Sequence, residues 1–194
     1  MDPVSRPEWA APLEVGVHAG SFLSAMPEVP TREVLQALSE DVRLLAFLKR
    51  HPLGTLEFSG RLPNPDWLGS FDPQTRDLVV NSFRSRGTYG KEFYPPELRS
   101  LSEAGESLIE ALQRTLYHEL GHSILDVAGP DIEHQIAMLL RSRRAIPISI
   151  RAMGDPIEYF CETFAAYRFE DSPADKDPEG YDMVEAVLRT VGRK

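Results

Sequence analysis

Ten residues, Thr115-Leu-Tyr-His-Glu-Leu-Gly-His-Ser-Ile124, constrain this chain more than any other stretch. They contain His118, Glu119 and His122 in the pattern H-E-x-x-H. On an α-helix, residues four apart lie one turn above each other on one face, so two imidazoles placed this way can grip a single Zn²⁺. Glu119, turned about 100° from His118, can reach a water on that metal without binding it. The pattern therefore requires a helix with one flank open to a cleft.

The neighbouring residues supply that helix. Ser100 with Glu103 reads as a capping box, Ser102 is a second cap candidate, and the helix extends to about Asp126. Ile109, Leu112, Leu116, Leu120 and Ile124 recur at three- and four-residue spacing and form an apolar stripe. His118 and His122 fall roughly opposite the middle of that stripe. One side of the helix is buried, and the other offers the histidines. Ala111 and Thr115 precede them on the same side and are small, which leaves room for a metal and a substrate.

The 194 residues, 42% hydrophobic and 26% charged, suit one soluble globular domain. Residues 1 to 30 carry Pro3, Pro7, Pro12, Pro27 and Pro30 without periodicity and read as an irregular arm, ahead of a domain over 31–194. A formal net charge of -9 repels phosphate backbones, which argues against nucleic acid as a partner. No run of about twenty apolar residues is present, so no membrane span is expected. The N-terminus lacks a basic segment followed by an apolar one, so the expected location is cytoplasmic, or external by a route without a classical signal peptide. Cys161, the one cysteine, cannot form an internal disulfide and fits a reducing compartment.

Thr31 is placed to cap a helix running to about Arg50, with Val34, Leu35, Leu38, Val42, Leu45 and Leu48 on its apolar face and His51-Pro52 as its stop. His51 reads as a helix-end histidine. Leu56 and Phe58 alternate with Thr55, Glu57 and Ser59, the mark of a half-buried strand. Trp67–Phe71 and Arg76–Phe83 flank Asp72-Pro-Gln-Thr75, a hairpin turn, and residues 84–94 form a further strand or a loop. The expected fold class is therefore α+β, with a small sheet upstream of the His118 helix. An extended substrate commonly adds to a sheet edge, but the sequence does not say which strand is the edge.

Beyond Gly129-Pro130, Asp131 caps a helix carrying Ile132, Ile136, Leu139 and Leu140, which ends in the solvated cluster Arg141, Arg143 and Arg144. His134 on this helix reads as a surface histidine or a partner to the site. Asp155-Pro156 marks the next helix start, with Asp at the cap and Pro at the first helical position. Glu158, Glu162, Ala165 and Phe169 then make one stripe, and Phe160, Phe164 and Tyr167 a second, apolar one. Two carboxylates one turn apart above a small alanine do not fit a core face. Cys161 is expected to point elsewhere as a buried filler. Asp171 to Gly180 reads as loop, and Met183 to Arg189 as a last short helix.

Taken together, His118-Glu-Leu-Gly-His122 and Glu158-Tyr-Phe-Cys-Glu-Thr-Phe-Ala165, roughly forty residues on, resemble the gluzincin metallopeptidases. The resemblance is closest to the anthrax lethal factor-like branch that includes the bacterial Pro-Pro endopeptidases, and it covers about Leu112 to Phe169. It implies a zincin-like fold and one zinc ion per chain, with His118, His122 and Glu158 as ligands. Glu162 is implied as the carboxylate that orients a ligand imidazole. The metzincin pattern does not continue, because Leu125 and Ala128 stand where its glycine and third histidine belong. The lethal factor-like branch has a tyrosine seven residues before the ligand glutamate, to stabilise the oxyanion. This chain has Arg151 there. Arg151 can serve as the electrophile, or Tyr159 or Tyr167 can turn inward.

The expected activity is zinc-dependent hydrolysis of a protein or peptide substrate, with Glu119 as general base and Arg151 at the oxyanion. The alternative is a weak or inactive zinc-containing module of the same fold that binds peptides. A purely structural site closed by Glu162 or His134 is a third reading. An intact Glu119 argues for catalysis, since a structural site needs no base.

Overall fold

The computed structural model describes residues 22–24, 28–59, 62, 67–81, 108–169 and 173–192. The expected caps Ser100 and Ser102, the segment 84–94 and most of the first thirty residues lie outside these. The fold is mixed α and β, mostly helical with one small sheet: β1 Phe22–Ser24, α1 Glu28–Glu40, α2 Val42–Arg50, β2 Leu56–Ser59, β3 Gly69–Asp72, β4 Asp77–Asn81, α3 Leu108–Ala128, α4 Pro130–Arg141, α5 Ile150–Gly154, α6 Pro156–Phe169, α7 Pro173–Lys176 and α8 Pro178–Val191.

The sheet order is β1-β2-β4-β3, with β1, β2 and β4 parallel and β3 antiparallel to β4. Leu56 and Phe58 of β2 pair with Leu78 and Val80 of β4, and all four are buried. The alternation in the sequence thus becomes one apolar face. β3 and β4 form the expected hairpin, whose turn is fixed by the Asp72 carboxylate accepting from the Gln74 N–H at 2.8 Å. Among the described residues β3 is the end strand on its side. The Asn81 N–H donates to the Leu68 carbonyl at 2.7 Å, so the alternation of an antiparallel ladder turns the main-chain N–H and C=O of Gly69 and Phe71 away from β4. On the other side β1 is drawn from residues expected to be irregular. It makes a three-residue pairing with β2 that no local pattern announces.

Helix α3 packs on β3 and β4 with one side and along α6 with another. Leu112, Leu116, Leu120 and Ile124 are all fully buried, as the stripe requires. The hairpin is tied to it by Arg76, which donates to Ser123 Oγ at 2.8 Å, Asp126 Oδ2 at 2.8 Å and the carbonyls of His51 and Pro52. Arg76 accepts a left-handed backbone, φ 59°, to make this reach.

Four local expectations change. The expected Thr31–Arg50 helix starts earlier, at Glu28 with Thr31 inside it, and is two helices, because the Asp41 carboxylate caps α2 by accepting from the Leu44 N–H at 3.1 Å. The break turns Val42, expected on the apolar face, out to solvent at 78% exposure. Gly129, not Asp131, stands at the cap of α4, with Pro130 as its first residue. The stretch 171–180 contains α7 and the first turn of α8, which starts at a second Asp-Pro pair, Asp177-Pro178. A short helix α5, capped by Ser149 Oγ accepting from the Ala152 N–H at 3.1 Å, precedes α6. No helix among the described residues is long and apolar enough to cross a membrane.

Candidate metal centre

The site lies where α3 crosses α6 beneath β3. The crossing is close because residue 121 is glycine: a Cβ there would lie 3.0 Å from Cys161 Cα and 3.1 Å from its sulfur. With α6 drawn in, its first turn faces the histidines. The Asp155 carboxylate fixes that turn, accepting from the Ile157 N–H at 2.8 Å, as the Asp-Pro signal predicts.

Glu158 reaches between the two imidazoles. Its Oε2 is 3.5 Å from His118 Nε2 and its Oε1 is 3.7 Å from His122 Nε2. Donors held by a tetrahedral zinc at about 2.0–2.2 Å stand about 3.3–3.6 Å apart, so these separations are near what one ion requires. Glu158 Oε2 is buried and has no hydrogen-bond partner. A buried carboxylate oxygen without a donor is costly, and a cation would satisfy it. Glu162 faces a different atom: its Oε1 is 3.4 Å from His118 Nδ1, on the far side of the same ring. A carboxylate behind a ligand imidazole fixes its tautomer and orientation.

The electrostatics of the site are set by burial and by the neighbouring charges. Burial above all, then the neighbouring His122, lowers His118 to about 3, and burial lowers His122 to about 4, so both rings are neutral donors. Burial, then the Glu158 charge, pushes Glu119 up to about 8 and Glu162 up to about 7. Burial also raises Glu158. Glu119, Glu158 and Glu162 share the pocket with Arg151, and burial favours the protonated form of each, a preference that a bound cation would reverse.

Two groups of donors converge within 4.8 Å: His118 with Glu158 and Glu162, and His118 with His122 and Cys161. The cysteine is buried, as expected, but its sulfur belongs to the neighbourhood of the imidazoles rather than to a remote core. The signal was present in the sequence, since Cys161 is three residues from Glu158 on the same helix. Burial, then the Glu158 charge, raises the thiol well above its ordinary range, so it is a neutral neighbour. Glu158 faces the Nε2 atoms of both histidines with one oxygen that has no hydrogen-bond donor, and the carboxylate is the better donor for zinc in this protonation state.

The cleft has a volume of about 320 Å³ and is lined by His118, Glu119, His122, Arg151 and Glu158, together with Trp67 and Leu68 ahead of β3, Gly69 to Phe71 within it, Thr115, Ser149 and Glu162. All five residues singled out from the sequence are therefore in one place. Arg151 Nη1 is 4.0 Å from Glu158 Oε2, and its side chain is 46% exposed. The two tyrosines considered for the oxyanion role are committed elsewhere. Tyr159 is fully buried with its hydroxyl on Asp177 at 2.5 Å, and the Tyr167 hydroxyl donates to Glu185. His134 is exposed on α4, outside the site, and Arg144 at the end of the basic cluster pairs with Glu179. The edge-strand wall went unread in the sequence, because nothing local in Trp67–Phe71 tells an edge strand from an inner one. No family model, curated protein or solved structure matches the chain.

Proposed function

We propose that this protein is a zinc-dependent endopeptidase of the gluzincin type, with a zincin-like fold, and that His118, His122 and Glu158 hold its metal. The observation that carries the reading is the buried, unpartnered Glu158 Oε2 set between two neutral imidazoles. Zinc at these residues would supply Lewis acidity, bringing a water's pKa towards about 7 and polarising a carbonyl.

The chain's own groups supply the rest. Glu119 is adjacent to His118 in sequence, lines the cleft and is buried at 6% exposure, so its carboxylate works in a low-dielectric site. It takes the proton from the attacking water and later returns it to the leaving amine. Arg151 lines the same cleft from α5, and its role is to stabilise the carbonyl oxygen as it becomes an oxyanion. Glu162 holds the His118 ring through Nδ1. The edge of β3, with Gly69 and Phe71 main-chain groups directed away from β4, suits an extended peptide pairing along the cleft.

The test is cleavage of a broad peptide library by zinc-loaded protein, wild type against Glu119→Ala. Turnover is expected to fall by about 10²–10⁴-fold, with zinc content unchanged. Equal rates would overturn the mechanism. A zinc-loaded wild type that cuts no member of the library would overturn the peptidase reading in favour of the alternative, a peptide-binding module.

A further inference from the structure

We infer that Gly69 is a positioning residue for Glu119: the bare backbone of the edge strand is the wall against which that carboxylate is seated. The inference rests on the proposed role of Glu119 as base and adds what sets its position.

A Cβ built on Gly69 would lie 2.6 Å from Glu119 Cγ, 2.6 Å from its Oε1 and 2.9 Å from its Cδ. Carbon atoms do not approach so closely, and the obstruction begins at Cγ, so swinging the tip of the carboxylate does not relieve it. The backbone does not require glycine here. Gly69 is a strand residue paired with Val80, and its φ lies outside the left-handed region. Space is therefore the reason for the glycine. Phe71, two residues further along β3, shares its face of the strand, so Gly69 is a gap beside an aromatic residue. The Glu119 side chain occupies that gap.

The consequence is geometric. The same residue that seats the base also turns its N–H and C=O to the outer edge, where an extended peptide would pair. A peptide adding to β3 at Gly69 thus brings its backbone to the carboxylate without any side chain of the enzyme between them. Any residue larger than glycine displaces the base from the peptide, while the histidines and Glu158, which are not among the atoms nearest to such a Cβ, keep their places.

The experiment is a double-mutant cycle on the whole protein: wild type, Gly69→Ala, Glu119→Ala and the double variant, each measured for melting temperature, zinc content, kcat and KM. The added methyl is expected to lower the melting temperature in the wild-type background and to leave it unchanged or raised when Glu119 is already alanine. The kcat of Gly69→Ala is expected to fall by about tenfold to 10²-fold, the cost of a misplaced catalytic group, with zinc content and KM held. The same change of melting temperature in both backgrounds, or an unaltered kcat in an active enzyme, would overturn the inference. If Gly69→Ala does not fold, folding of the double variant supports the contact and its failure to fold contradicts it. A zinc-loaded wild type without turnover refutes the peptidase reading alone, and the melting temperatures still decide whether Gly69 seats Glu119.

Discussion

Adjacent residues on α6 serve two acidic clusters that differ in one respect. On the core side, the Tyr159 hydroxyl meets Asp177, a carboxylate 2% exposed that also accepts from the N–H groups of Gly180 at 3.0 Å and Ile146 at 3.2 Å. On the cleft side, Glu158 has Glu119, Glu162 and two neutral histidines for neighbours, with Arg151 Nη1 at 4.0 Å, and its Oε2 has no hydrogen-bond donor. The first cluster is complete within the protein and joins α6, α8 and the 142–149 connection. The second is incomplete without a ligand. A buried acid with all its partners is scaffold, and one without them marks where something else must bind.

Substitutions should separate the two clusters, and the largest effect is expected on metal. His118→Ala and Glu158→Ala should each weaken zinc binding well beyond 10²-fold, while Glu162→Gln should weaken it by about 10–100-fold, as for a group that only orients a ligand. Equilibrium dialysis against a competing chelator measures both. Unchanged affinity in Glu158→Ala would remove the contrast between the clusters.

Asp177→Ala should act on stability alone. It removes a helix cap and leaves the Tyr159 hydroxyl buried without its acceptor, on the order of 3 kcal/mol together. For a chain of this size that lowers the melting temperature by about 6–12 °C. Zinc affinity of the folded protein should stay as in wild type.

The smallest effect is the dependence of the metal-free protein on pH. Glu119 and Glu162 have folded values of about 8 and about 7, above the ordinary 4.5, so the folded state holds protons that the unfolded state has released. Their contribution is fully present below about 4.5 and is lost as pH rises through 7 and 8. His118 and His122, lowered to about 3 and about 4, act the other way, but their contribution is already complete above 6.5. Between pH 6.5 and 8 the melting temperature of the metal-free protein should therefore decline. Saturating zinc should flatten or reverse the trend, since the metal favours the ionised carboxylates. A metal-free protein that gains stability over this interval would show that the cleft acids are ionised without a cation.

The central helix, the acidic helix α6 and the hairpin were legible because each is declared locally, by a 3.6-residue stripe, an Asp-Pro start or turn residues between alternating runs. The second Asp-Pro start, at Asp177, carried the same signal but was masked by the charged, proline-containing stretch around it. The Asp41 break was hidden because apolar spacing continues through it from Leu38 to Leu45. His118, Glu119 and His122 could be named from their spacing, whereas the roles of Glu158 and Glu162 came only through the family resemblance. What spacing could not supply was the third dimension: that among the described residues β3 ends the sheet over Glu119, that Arg76 ties the hairpin to α3, and that Cys161 approaches the imidazoles where Gly121 lets the helices close.

That last approach gives the most direct test of the metal assignment. X-ray absorption at the zinc edge of the loaded protein reads the donor atoms without reference to turnover. The account predicts a shell of nitrogen and oxygen alone at about 2.0–2.2 Å, from His118, His122, Glu158 and solvent. A sulfur scatterer at about 2.3 Å would place Cys161 on the metal in place of Glu158 and contradict it.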